Sequence, residues 1–188
     1  MRLSHVLAGL VVASLSSAAF AADNYKIDPE HSFVHFRVNH MGVSNTYGRF
    51  NDPTGTVTID PADMSKSSIN LEVKADNVDT DNDKRDAHLK NADFFDARQF
   101  PTITFKSTAI KGEGDKLEVT GDLTLHGVTK SITVPLTKIG EKETGQMGHR
   151  AGWEAMLDLK RSDYGMSNMV GPVGDDIHLV VALEAVKS

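Results

Sequence analysis

The sequence predicts an all-β fold, an eight-stranded antiparallel barrel with a short helical insertion around residues 83–98. Three observations carry this reading. From Asn24 onward apolar residues recur with a period of two rather than 3.6, as they do along half-buried strands. Turn signals such as Asp60-Pro61, Gly112-Glu113-Gly114-Asp115, His126-Gly127 and Gly171-Pro172-Val173-Gly174 separate the runs. No long helical pattern lies between them to carry parallel crossovers, so hairpins and antiparallel pairing follow. Open sheet edges invite association, which favours closure of the eight strands into a barrel.

Residues 1–21 differ from the rest. Arg2 supplies positive charge, Leu7 to Leu15 is an apolar run, and Ala19-Phe20-Ala21 is a small-x-small cleavage signal, the pattern of a secretory signal peptide. The apolar run falls short of the roughly 20 residues a spanning helix needs, and no later stretch approaches that length, so an integral membrane protein is not expected. The expectation is an exported, soluble, single domain over residues 22–188. Its composition agrees, with 39% hydrophobic and 24% charged residues in a chain of 188. Loss of Arg2 with the leader leaves nineteen Lys and Arg against twenty-six Asp and Glu, a net charge of −7. That acidity excludes a nucleic-acid footprint and argues against docking on anionic lipid head groups.

The first alternating strand places Ser32, Val34, Phe36 and Val38 on one face and His35, Arg37 and Asn39 on the other, with Phe33 out of step. The same alternation recurs at Thr56 to Ile59, Ile69-Leu71-Val73, Ile103-Phe105, Leu117-Val119 with Leu123-Leu125, Ile132-Val134-Leu136, Trp153-Ala155-Leu157-Leu159 and Ile177-Leu179-Val181-Leu183. An eight-stranded barrel is just wide enough to be filled by side chains or to hold one slender ligand. The inward residues are mostly Val, Leu and Ile, so a ligand tunnel and a filled core both stay open on this pattern. The candidate tunnel residues are Val34, Phe36 and Val38; Leu71 and Val73; Ile103 and Phe105; Val119 and Leu123; Ile132, Val134 and Leu136; Trp153 and Leu157; and Ile177, Leu179 and Val181.

One segment breaks the period. Asp79 to Pro101 is strongly charged, opens with acids suited to a helix N-terminus and ends before a proline, which predicts a short helix from Lys84 to Lys90. Leu89, Phe94, Phe95 and Phe100 give this insertion an apolar underside, so it is a candidate lid across a barrel end. The final strand is apolar on both faces from Leu179 to Leu183, so its outside is expected to be covered, by a second copy in a homodimer or by the insertion helix.

Most catalytic and metal signatures fail on these residues. There is no cysteine, so thiolate ligands, thiol nucleophiles and disulfides are excluded. Asp79-x-Asp81-x-Asp83 starts like a calcium loop but has Lys84 where Gly belongs and Lys90 where a bidentate Glu belongs. His31 and His35 lie about 13 Å apart on an extended strand, too far for one ion, and no His-x-His or His-Glu-x-x-His motif occurs, so no metal is expected. Gly42-Val43-Ser44-Asn45-Thr46 lacks the last glycine of a nucleophile elbow, and Gly112-x-Gly114 sits in a hairpin without a following helix. What remains is a set of polar residues at strand ends: His40-Met41-Gly42, Arg85 to Leu89, Leu125 to Lys130 and Arg161 to Met166. Of these Arg85, His88 and Arg161 are able to hold an anionic or carbonyl head group.

Taken in order, Tyr25 to Asp28, His31 to Gly42, Gly48 to Phe50, Val78 to Thr80, Arg85 to Leu89, Phe100-Pro101, Val119 to Lys130, Leu159 to Met166 and Gly174 to Asp176 resemble the polyisoprenoid-binding YceI family across the whole chain from about Asn24 to Val186. The resemblance implies an extended, lipocalin-like barrel whose tunnel holds a long isoprenoid such as a quinone or prenyl phosphate. It implies binding without a cofactor rather than turnover, and with the leader a periplasmic location. That family has no agreed catalytic set, so no residue role is carried over. An enzyme acting on such a lipid through His, Asp and Arg at the barrel mouth, and a filled barrel without ligand, are the alternatives.

Overall fold

In the computed structural model residues 22–188 are described; the leader read in residues 1–21 lies outside the described residues. Among the described residues the strand segments are β1 (Asp23–Ile27), β2 (Phe33–His40), β3 (Ser44–Phe50), β4 (Thr54–Ile59), β5 (Ser68–Lys74), β6 (Val78–Asp79), β7 (Thr102–Glu113), β8 (Lys116–Leu125), β9 (Val128–Glu143), β10 (His149–Lys160) and β11 (Val173–Lys187), with one α-helix, α1 (Asp83–Leu89). They amount to eight antiparallel strands, because three are each broken in two: β1 with β2, β3 with β4, and β5 with β6. The ring runs β1-β4-β5-β7-β8-β9-β10-β11 and closes where β11 pairs with β1. Alternation identifies one segment of every strand; it misses β1, β3 and β6. The sequence of β3, Ser-Asn-Thr-Tyr-Gly-Arg-Phe, buries only Phe50 and so carries no period, and β6 is two residues long.

At fifteen residues, β11 is long enough to serve both halves of the first strand. Its Ala185–Lys187 end pairs with Tyr25–Ile27 of β1, and Ile177–Ala182 pairs with Phe33–Val38 of β2. Between them the chain leaves the ladder at residues 28–32, and Glu184 would lose its partners. Buried Ser32 replaces them: its hydroxyl donates to the Glu184 carbonyl at 3.1 Å and accepts from the Glu184 N–H at 3.0 Å, while the Asp28 N–H donates to the same carbonyl at 2.9 Å. Side chains tie the same corner, since Arg150 of β10 donates to the Asp28 carboxylate at 2.7 Å and also to Glu184. The other two breaks lock together through Asn51 and Asn77, whose main chain and side chain exchange bonds of 3.1 and 3.0 Å.

Above its break β6 leaves β7, and the insertion fills the gap. The helix is found at Asp83–Leu89, capped by the Asn82 side chain accepting from the Arg85 N–H at 3.0 Å, with Asp83 and Asp86 in the first turn. Thr80 binds α1 to β6: its N–H donates to Asp86 at 2.9 Å, and its hydroxyl accepts from Arg85 Nε at 2.7 Å. Because α1 sits here, it does not cover the outside of β11. Val180, its β10 partner Met156 and Phe33 of β2 stay exposed there.

Two outcomes follow from the corner at β1 and β2. Ser32→Ala leaves the half-buried Glu184 N–H without its partner and is expected to lower the unfolding free energy by about 1–2 kcal/mol in urea melts. Burial alone would raise the Asp28 pKa, but hydrogen bonds from Arg150 and His31 hold it at about 2, below the ordinary 3.8. The stability carried by ionised Asp28 is therefore present in full above about pH 4 and disappears as pH falls through about 2. Thermal midpoints recorded from pH 5 to 2 are expected to fall across that window, and less steeply in Asp28→Asn.

Candidate functional site

The inside of the barrel has two unequal halves. Toward the β1 end it is filled by a cluster around Tyr25, Val57, Trp153 and Ala185, all at most 3% exposed, with the Tyr25 and Trp153 rings edge to face at 5.4 Å. Tyr25 reaches the barrel end with its hydroxyl, donating to Glu141 Oε1 at 2.7 Å; burial, then Glu141, pushes the phenol pKa upward. Toward the other end a cavity of about 200 Å³ stays open. On β8 it spans Val119 to Leu125, about 20 Å of strand. That volume drawn out over that length is one hydrocarbon chain wide.

Sixteen of the seventeen candidate tunnel residues border this cavity. Trp153 does not; it is packed with Tyr25 in the filled half, below the residues that border the cavity. The candidate tunnel list also left out lining residues. Ile69, Leu125, Ala155 and Leu183 share the parity of their named neighbours, and Leu89, Phe94 and Phe95 come from the apolar underside of the insertion. Phe50, Met166 and Val173 come from segments without a period and had no signal. Two inward rings leave the lumen free by lying on glycine: a Cβ at Gly48 would sit 2.3 Å from the Phe36 ring, and one at Gly121 would sit 2.5 Å from the Phe105 ring.

The insertion closes the loop end through its aromatic rings. Phe95 meets Phe50 edge to face at 5.2 Å, and Phe94 lies 5.9 Å from the Arg161 guanidinium. The three candidate head-group residues are separated by the structure. Arg85 is exposed, holds Thr80 through Nε and through Nη2 to the Thr80 carbonyl at 2.6 Å, and does not border the cavity. His88 is also outside, hydrogen-bonded to Asp93 at 3.1 Å and edge to face with Phe94 at 5.0 Å. Arg161 is 4% exposed and, among the described residues, is the one charged residue lining the cavity. It donates to the carbonyls of Gly174 (2.9 Å), Met166 (2.7 Å), Asn168 (2.8 Å) and Val173 (3.0 Å), using four of the five N–H groups of a guanidinium. No carboxylate lies within 4.0 Å of it in the described residues, and desolvation lowers its pKa. Among the described residues one group, Asp28, His31 and Glu184, brings three metal-type ligand atoms together. The Arg150 guanidinium already bonds both of its carboxylates, which leaves a cation little reason to bind.

The profile of the YceI-like domain matches residues 25–185. The chain belongs to the YceI family. Protein YceI of Escherichia coli O6:H1 is 40% identical over 185 residues, covering 96% of this chain and 97% of that one. Among solved structures, Burkholderia cenocepacia BcnA superposes with a TM-score of 0.76 at 26% identity, over 85% of this chain and 99% of that one. A polyisoprenoid binding domain from Saccharophagus degradans, implicated in plant cell wall breakdown, shares the fold with a TM-score of 0.67 at 17% identity, over 87% and 98% of the two chains. The YceI barrel expected from the motifs is thus the barrel found.

The contrast between the two arginines is measurable. Arg161→Met strips four carbonyls of a buried charged donor and is expected to lower the unfolding free energy by about 3 kcal/mol or more. Arg85→Ala, at an exposed site, is expected to lower it by at most about 1.5 kcal/mol and to speed amide exchange in α1 alone.

Proposed function

We propose that this YceI-family chain is an exported periplasmic binding protein that holds the tail of one long-chain isoprenoid, or a similar amphiphile such as a quinone or prenyl phosphate, in the open half of its barrel. The observation that carries the reading is the slender cavity itself, walled by aliphatic and aromatic side chains with Arg161 as its single charge. Each CH₂ buried there contributes roughly 0.8 kcal/mol, so a few isoprene units bind by apolar burial alone. Arg161, a desolvated cation without a carboxylate partner, is the group toward which a carbonyl or anionic head is drawn. The name of the Saccharophagus degradans neighbour supports a polyisoprenoid as the class. The role is binding rather than catalysis, as carrier, store or stress protein, and its place in the periplasm rests on the leader in residues 1–21.

Native mass spectrometry of protein purified from its own periplasm, followed by lipid extraction, tests this. A stoichiometric prenyl lipid is the expected result; a bare protein, or turnover of added lipid, overturns it. Val134→Trp projects an indole into the cavity and is expected to abolish occupancy while costing about 1–3 kcal/mol of stability. A folded Val134→Trp protein with full occupancy would put the ligand elsewhere.

A further inference from the structure

Two tips project from the loop end of the barrel, the β2–β3 turn at Met41–Val43 and the segment leading into β11 at Met169–Pro172. The Met41 N–H donates to the Pro172 carbonyl at 2.7 Å and His40 pairs with Val173, so they form one projection. Its side chains are apolar and outside: Met41 is 64% exposed, Val43 84%, Met169 47% and Val170 46%. Residues 38–48 and 164–174 contain no Asp, Glu, Lys or Arg, in a chain that is 24% charged. Both methionines are held in the left-handed region, at φ 56° for Met41 and 54° for Met169, where Gly or Asn would be less strained. Val38 and Val173 line the cavity, so the Met41–Val43 tip stands about 10 Å beyond the cavity wall along the strand.

We propose that this paired tip is a membrane-docking surface that seats the cavity's loop end on a lipid bilayer. The inference rests on the tunnel reading for its purpose, since a tail leaving a bilayer would then meet the cavity without crossing water. Three features single out a bilayer over a second copy. Interfacial anchors bury their apolar face about 5–10 Å into the head-group boundary, a depth this projection matches. The tips lack charge on a protein that is acidic overall, which suits insertion into a zwitterionic surface and not adhesion to an anionic one. Tyr47, 66% exposed on β3 four residues past Val43 and opposite Arg37, supplies the amphipathic ring favoured at membrane interfaces. Another exposed apolar face, Met156 with Val180, is bordered by the hydrogen-bonded His178 and Asp158 and lies along the barrel side, away from the cavity's end.

Co-sedimentation of the purified protein with large phosphatidylcholine vesicles is the test. The wild type is expected to pellet with the vesicles, and the double variant Val43→Asp/Val170→Asp to bind at least tenfold more weakly with an unchanged thermal midpoint. Ile139→Asp, which places one such charge at an exposed apolar residue near the filled end, is expected to bind like the wild type. Failure of the wild type to pellet, equal loss in Ile139→Asp, or wild-type binding by the double variant overturns docking. So does a dimer in sedimentation equilibrium that the double variant dissociates while vesicle binding stays absent. Loading with decaprenyl phosphate from detergent separates the two proposals. The double variant is expected to load fully; if no form loads but vesicle binding follows the tips, the tunnel reading fails and the docking surface stands.

Discussion

Every residue of β11 needs a hydrogen-bonding partner on both sides, and the first strand of the barrel breaks before it can provide one side alone. Ser32 and Asp28 bridge the resulting gap at Glu184, and the break turns β2 away from the line of β1. The same turn is repeated in β3/β4 and β5/β6, with Asn51 and Asn77 joining the two. Below the breaks the eight strands close into a full ring, narrow enough for Tyr25 and Trp153 to fill. Above them β6 parts from β7 and the gap is filled by a helix and the rings of Phe94 and Phe95 instead of a ladder. One solution to a backbone problem thereby creates both the floor and the room above it.

Alternation made one segment of each of the eight strands legible because each is buried on a single face, and it named sixteen residues that border the cavity. It could not tell Trp153 from Leu157, since both point inward from β10. What separates them is height relative to Tyr25, which depends on β1 pairing with β11 at Tyr25 and Lys187, and β1 itself carries too short a pattern to be read. The rim was equally hidden. Arg85, His88 and Arg161 look alike as cationic side chains at strand ends; the carbonyls that claim Arg161 come from residues 166–174, whose path has no periodicity. The insertion helix as a cover for β11 was misjudged for a related reason, because α1 is recruited by Thr80 to the β6–β7 gap and is not free to lie over Val180.

Arg161 has two effects that pull on the same loop. Its guanidinium gathers four carbonyls of the segment that carries Met166 and Val173 to the cavity and Met169 to the tip, so it sets the shape of the rim without touching a ligand. Its charge, shielded from water and surrounded by carbonyl dipoles with Asp175 beyond ion-pair distance, places a cation at the end of an otherwise apolar cavity. A neutral donor could do neither, since it would supply fewer N–H groups and no field. Phe94 over the guanidinium then couples the insertion to the rim, and movement of one displaces a packing surface of the other.

An apolar cavity is a stability deficit until something fills it. In engineered cores the loss runs at about 24 cal/mol per Å³, so about 200 Å³ corresponds to roughly 5 kcal/mol, as large as the whole stability of a marginal domain. The fold tolerates this because the filled half and the closed ladder carry their own packing, and because Gly48 and Gly121 let Phe36 and Phe105 lie against the wall rather than close the space. An occupant that binds the folded chain alone returns part of the deficit by mass action, about 2.7 kcal/mol at one hundred times its dissociation constant. Stability and occupancy are therefore linked in this barrel through the same side chains. A substitution that shrinks the lumen without strain would raise the stability of the empty protein and remove its capacity to be stabilised by a lipid.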